Sequence, residues 1–127
     1  MNDKNKYKDG KNLQKRTKQF AIRIIKLARF LEKDPITRMI GRQIFRSGTS
    51  IAANYRASCR SRSVKEFIAK LGIVIEEADE TEFWLELLIE SRLVEPNLIQ
   101  DLLKEADEIT AIMVSSKNST IANQKKE

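Results

Sequence analysis

Seven carboxylates crowd one stretch of this chain: Glu76, Glu77, Asp79, Glu80, Glu82, Glu86 and Glu90. Inward-facing carboxylates let a helical bundle hold two metal ions, but such sites also draw a Glu-x-x-His pair from each of two helices. The chain contains no His, so neither a metal nor any other cofactor is expected. The acids read instead as flanks of a packing stripe, repelling one another at i,i+4 and requiring cationic partners. Arg46 is the expected partner, and Glu82 and Glu86 are the acids expected to meet it. Without imidazole, Cys59 and the serines lack the base that most often activates a nucleophile, and one cysteine closes no internal disulfide. Ser47-Gly48-Thr49-Ser50 imitates a phosphate loop, but the completing Lys-Ser/Thr is missing and the segment lies mid-helix. The residue inventory therefore predicts a protein that is not an enzyme.

The cations point elsewhere. Arg38, Arg42, Arg56 and Arg60 share one side of the second helical segment, and Arg62 and Lys65 continue into the turn after it. Arginine suits phosphate because its planar fork engages two oxygens at once. Lys15, Arg16 and Lys18 add a basic arm able to follow a nucleic-acid backbone without reading its sequence. The competing reading of both groups is a solvated face, or a surface that meets the acids of a neighbouring subunit. Net charge is +6, yet residues 1–75 hold 19 Lys and Arg against 5 Asp and Glu, and residues 76–127 hold 5 against 13. With a pI near 9.5, RNA or DNA is a reasonable partner class.

Four helical segments must position these groups. Gly and Pro are scarce, at 4 and 2 residues among 127, and Leu, Ile, Ala, Glu, Lys and Arg supply good helix formers. Phe20, Ile24, Leu27 and Leu31 recur at alternating steps of four and three, which predicts a helix over about 13–33 ending at Asp34-Pro35. A second helix is predicted over 36–59. A third spans 63–92, opened by a Ser63/Glu66 capping box and carrying Phe67, Leu71, Val74, Ala78, Thr81, Leu85 and Leu88. A fourth covers 97–116 with Asn97 as its cap. Short connections make successive helices antiparallel neighbours, giving an all-α, up-down-up-down four-helix bundle over residues 13–117. Residues 1–12 and 118–127 carry few apolar groups and are expected to be flexible tails. No apolar run is long enough to span a membrane and no secretory signal opens the chain, so a cytoplasmic address is expected.

The second helix is the most unusual. One of its stripes reads Ile40, Ile44, Ser47, Ile51, Asn54, Ser58, and the adjoining one reads Gly41, Phe45, Gly48, Ala52, Tyr55, Cys59. A Gly inside a helix costs about 1 kcal/mol relative to Ala, so something must need the missing side chain. Two adjacent apolar or small faces offer more than one neighbour can cover, which predicts contacts inside the bundle and across a subunit boundary. Accommodation of bulky neighbours within one protomer is the alternative. Asn54 is expected to fix helix register, and Trp84 to anchor packing or assembly.

RSGTSIAANYRAS on the second helix, followed by SVKEFIAKLGIVIEEADETEFWLELL on the third, resembles the bacterial four helix bundle family first noticed as reading frames in intervening sequences of 23S ribosomal RNA genes. The similarity runs from about Phe20 to Ser116. It implies an antiparallel bundle assembled as a ring-like homopentamer, distantly related to accessory proteins of diversity-generating retroelements, which bind nucleic acid and a reverse transcriptase. This chain does not especially match that branch. Family positions carried onto the chain are Arg46, Ser47, Ser50, Ile51, Asn54, Phe67, Glu77, Glu82 and Leu88, read as determinants of fold and assembly. The expected function is an oligomeric nucleic-acid-binding or ribonucleoprotein accessory factor; the alternative is a protein-interaction module with no nucleic-acid role.

Overall fold

A computed structural model describes the backbone of residues 3–126 and the side chains of residues 10–126. The chain forms α1 (Asp3–Phe30), α2 (Pro35–Cys59), α3 (Val64–Glu90) and α4 (Gln100–Lys125), with a 3-10 turn, Pro96–Leu98, before α4. Each long helix packs along the one that follows it, and α4 returns to α1 over a much shorter stretch. This is the antiparallel four-helix bundle that the periodicity predicts.

The expected stripes meet at its centre. Phe20, Ile24 and Leu31 from α1, Ile44 and Ile51 from α2, Leu71, Val74, Leu85 and Leu88 from α3, and Ile109 and Met113 from α4 are all buried. Each such side chain contributes roughly 1.5–3 kcal/mol by leaving water, which outweighs the modest helix propensities of Ile and Val.

Local chemistry sets the ends of the helices. The Asp34 carboxylate accepts hydrogen bonds from the backbone N–H groups of Ile36 (2.9 Å) and Thr37 (3.1 Å), and Pro35 occupies the first turn, where its missing N–H is harmless. Those bonds, that from Thr37 foremost, hold the Asp34 carboxyl below its ordinary range. Ser63 accepts from the N–H of Glu66 at 3.1 Å, as a capping box requires, but the return bond lands one residue early, from the Arg62 N–H to Glu66 Oε2 at 3.2 Å. At the far end of α3, the N–H of Leu93 reaches the Leu88 carbonyl and that of Arg92 reaches the Ile89 carbonyl, a Schellman motif. Arg92 holds the left-handed position, φ 58°, that glycine usually fills.

Two expectations at the helix ends are corrected. Asn97 does not cap α4: it lies inside the 3-10 turn, and Ile99 precedes the helix with no side-chain cap. Pro96 favours that turn and moves the helix start past Asn97. The flanks expected as flexible tails are helical, α1 from Asp3 and α4 to Lys125; residues 1, 2 and 127 lie outside the described residues. Gly10, Leu13 and Gln14 in α1, and Ser116, Lys117, Thr120 and Ile121 in α4, are half-buried, so the packing face continues where apolar periodicity has faded.

Candidate nucleic-acid interface

Antiparallel packing turns a charge asymmetry along the sequence into one along the bundle. The start of α1 lies beside the end of α2: a Cβ added at Gly10 would sit 3.9 Å from Cys59 Sγ and 4.0 Å from the Tyr55 hydroxyl. The end of α4 lies beside the start of α3, where a Cβ at Gly72 would meet Lys117 Nζ at 3.4 Å. Lys15 of α1 therefore lies toward the same end as Arg56, Arg60, Arg62 and Lys65, with Lys18 nearer the middle of the bundle, and all six are exposed. Among the described residues none of the six makes an ion pair, whereas Lys70 nearby bonds Glu66 at 2.8 Å. The Lys70 ammonium, aided by the Arg62 N–H, keeps the Glu66 carboxyl low.

The remaining candidates are engaged within the molecule. Arg38 Nε lies 2.9 Å from Glu32 Oε2, and Arg42 Nε 3.8 Å from Glu32 Oε1, which separates this pair from the basic end by the length of α2. Arg16 does not belong to a free arm. Its fork grips Glu105 of α4 (Nε–Oε2 2.8 Å, Nη2–Oε1 2.6 Å) and reaches Glu108 at 2.7 Å. The hydrogen bond to Glu105 raises the Arg16 pKa and lowers that of Glu105. These contacts span the seam where α1 and α4 otherwise touch little.

Arg46 bridges to α3, but its acids are Glu77 (3.3 Å) and Glu80, not the expected Glu82 and Glu86. Interhelical register decides this. Ser47 and Thr81, both buried, meet at 2.8 Å and bring the preceding turn of α3 opposite Arg46. The Glu80 bond is the main cause of a raised Arg46 pKa. Asn54 also departs from expectation: its amide donates to the Ser50 carbonyl at 2.9 Å within α2, and the cross-helix polar contact falls to Ser47 and Thr81. Ser50 likewise bonds its own helix, through the Arg46 carbonyl at 2.6 Å.

The two faces of α2 divide. Gly41 and Gly48 are buried against α1 of the same protomer, where an added Cβ would lie 3.0 Å from Leu31 Cβ and 2.8 Å from Ile24 Cγ1 and Cγ2 respectively. Their small size thus serves the protomer itself. Phe45 does not join them: at 47% exposure it stands with Ile25, 40% exposed, beside a shallow groove of about 200 Å³ that also includes Ala28 and Gly41. Ala52 is half-buried, and Ile51, Tyr55 and Leu88 belong to the core. Phe67 and Trp84 pack against it; the Trp84 ring meets Phe83 edge-on at 5.1 Å, and its indole N–H has no hydrogen-bond partner among the described residues. Among the described residues no helix is long and apolar enough to cross a membrane, and no three acidic or cysteine side chains converge as metal ligands would.

The fold thus defines the class, an all-α antiparallel four-helix bundle protein with one basic end. The chain belongs to the 23S rRNA-intervening sequence protein family, whose model matches residues 11–115. It is also similar to a solved structure from Bacteroides thetaiotaomicron VPI-5482, described as a protein of unknown function from the S23 ribosomal protein family. The two are 36% identical with a TM-score of 0.78, covering 83% of this chain and 97% of the other. A search of curated proteins finds no match.

Proposed function

We propose that this protein is a self-assembling bundle that binds the phosphate backbone of RNA or DNA through its basic end. The observation that carries the reading is that Lys15, Lys18, Arg56, Arg60, Arg62 and Lys65, five of them toward one end of the bundle, are exposed and without ion pairs among the described residues. Cations placed only to balance surface acids would sit beside them, as Arg38 and Arg46 do. Contacts of this kind read charge and spacing rather than base sequence.

Binding should weaken steeply with salt in a mobility-shift assay. Reversing Arg56, Arg60, Arg62 and Lys65 to Glu should reduce the slope of log affinity against log salt by about 3–4. Reversing Arg38 and Arg42 should leave that slope unchanged. No shift with either RNA or DNA at low salt would remove the proposal.

Self-assembly draws on the exposed Ile25–Phe45 face and on the homopentamer implied by the family resemblance. A half-exposed aromatic beside an apolar groove is an anchor of the kind found at the centre of interfaces. Phe45→Glu is expected to lower the mass measured by light scattering to that of a monomer while helical content is retained. An unchanged oligomer would place the interface elsewhere.

A further inference from the structure

Phe83 is an aromatic side chain on the outside of α3. It is 53% exposed and meets only the edge of Trp84. Glu76, Asp79, Glu80, Glu86 and Glu90 lie three, four or seven residues from it and so share its face of the helix. Glu80 turns to Arg46, but Glu76, Asp79, Glu86 and Glu90 are exposed and make no ion pair among the described residues. The phenyl ring therefore stands in water within a collar of unbalanced negative charge.

The groove between α1 and α2 has the opposite character. Ile25, Ala28 and Phe45 give it apolar walls, and Arg29, Arg42 and Glu32 rim it. Glu32 is already matched by Arg38 at 2.9 Å and touches Arg42 only at 3.8 Å, while Arg29 is exposed and makes no ion pair among the described residues. The rim is left positive. Its volume of about 200 Å³ accepts one phenyl ring, since an apolar cavity of about 150 Å³ holds benzene. Phe83 of the same protomer cannot reach it. Thr81 is the residue of α3 that meets α2, and Phe83, two positions on, lies about 200° further round the helix. It points away from α2, whereas the groove follows the seam of α2 with α1.

Taking the chain to self-assemble through its Ile25–Phe45 groove, we propose that the occupant of that groove is Phe83 of a second copy, with the acids around Phe83 facing Arg29 and Arg42. Pairing of like faces is disfavoured. Groove on groove would set Arg29 and Arg42 against themselves, and Phe83 on Phe83 would do the same to the acids. Only a head-to-tail contact brings opposite charges together. Each copy then still offers one groove or one Phe83, so the contact repeats until the assembly closes on itself.

Light scattering of the full chain reads the outcome. Phe83→Glu should reduce the assembled mass to that of one chain, with helical content by circular dichroism retained because the side chain is exposed. Mixing this variant with Phe45→Glu tests the direction of the contact. The first keeps its groove and the second keeps its Phe83, so together they have one intact contact. Titrated against each other up to about 1 mM, they should form a 1:1 dimer of twice the mass that either shows alone. Asp79→Lys with Glu86→Lys leaves Phe83 in place and should weaken assembly at least about tenfold. An oligomer that survives Phe83→Glu but not Phe45→Glu would overturn Phe83 as the occupant while self-assembly through the groove stands. A mixture that stays monomeric, or an assembly indifferent to the two charge reversals, would overturn it equally. A native chain that is monomeric at the same concentration would remove self-assembly as well.

Discussion

Gly48→Ala is expected to destabilise the bundle by about 1–3 kcal/mol, although alanine is the better helix former by about 1 kcal/mol. The new methyl would meet Ile24 Cγ1 and Cγ2 at 2.8 Å and its Cβ at 3.2 Å. Ile24 is fully buried and branched at Cβ, so in a helix it has essentially one rotamer and cannot swing aside. Either α1 retreats from α2, opening the core around Phe20 and Leu27, or the chain bears the overlap. Gly48→Leu should leave no folded protein by circular dichroism. A second substitution separates overlap from any other cause. Ile24→Ala deletes both clashing atoms and should relieve Gly48→Ala, so that the double variant loses less than the sum of the singles in urea unfolding. Ile24→Val keeps both atoms and should give no relief. A Gly48→Ala protein as stable as the native chain would mean that α1 is free to shift.

Thr81→Val should cost about 1–2 kcal/mol despite conserving shape. The Thr81 hydroxyl lies 2.8 Å from Ser47 Oγ and 2.8 Å from the Glu77 carbonyl, in a site closed to water. Removing it leaves Ser47 with only a long contact, 3.5 Å, to the Ile44 carbonyl. Ser47→Ala should cost a similar amount for the reciprocal reason. Removing both hydroxyls together should be milder than the two losses added, because no polar atom is then stranded. Strict additivity in that double-mutant cycle would show that the two hydroxyls do not act as a pair.

The path from sequence to fold is short because the decisive signals are local. Stripes such as Phe20-Ile24-Leu27-Leu31 fix which face of each helix is wet, and Asp34-Pro35 and Ser63 mark helix starts through bonds to residues two or three positions away. Expectations depart from the structure where the outcome depends on how helices slide past one another. A slide of less than two turns decides whether Arg46 meets Glu80 or Glu86, and nothing in either helix alone states it. Arg16 reads as part of a free arm because its partner lies 89 residues away. The stripe of exposed candidates divides for the same reason: Glu32, at the end of α1, reaches Arg38 and Arg42 but lies at the opposite end from Arg56 and Arg60. Asn97 misleads through a different cause, a tight turn imposed by the neighbouring proline.

The sparse seam between α1 and α4 bears on how the molecule comes into being. Nearly all packing joins helices that are adjacent in the chain, so little loop-closure entropy stands between the nascent polypeptide and its contacts, and such topologies fold quickly. As synthesis proceeds from the N-terminus, α1 and α2 can pair while α3 is still being made, and α3 can add to them before α4 emerges. The few contacts between α1 and α4 must wait, those of Arg16 among them, its charge held in water until Glu105 arrives.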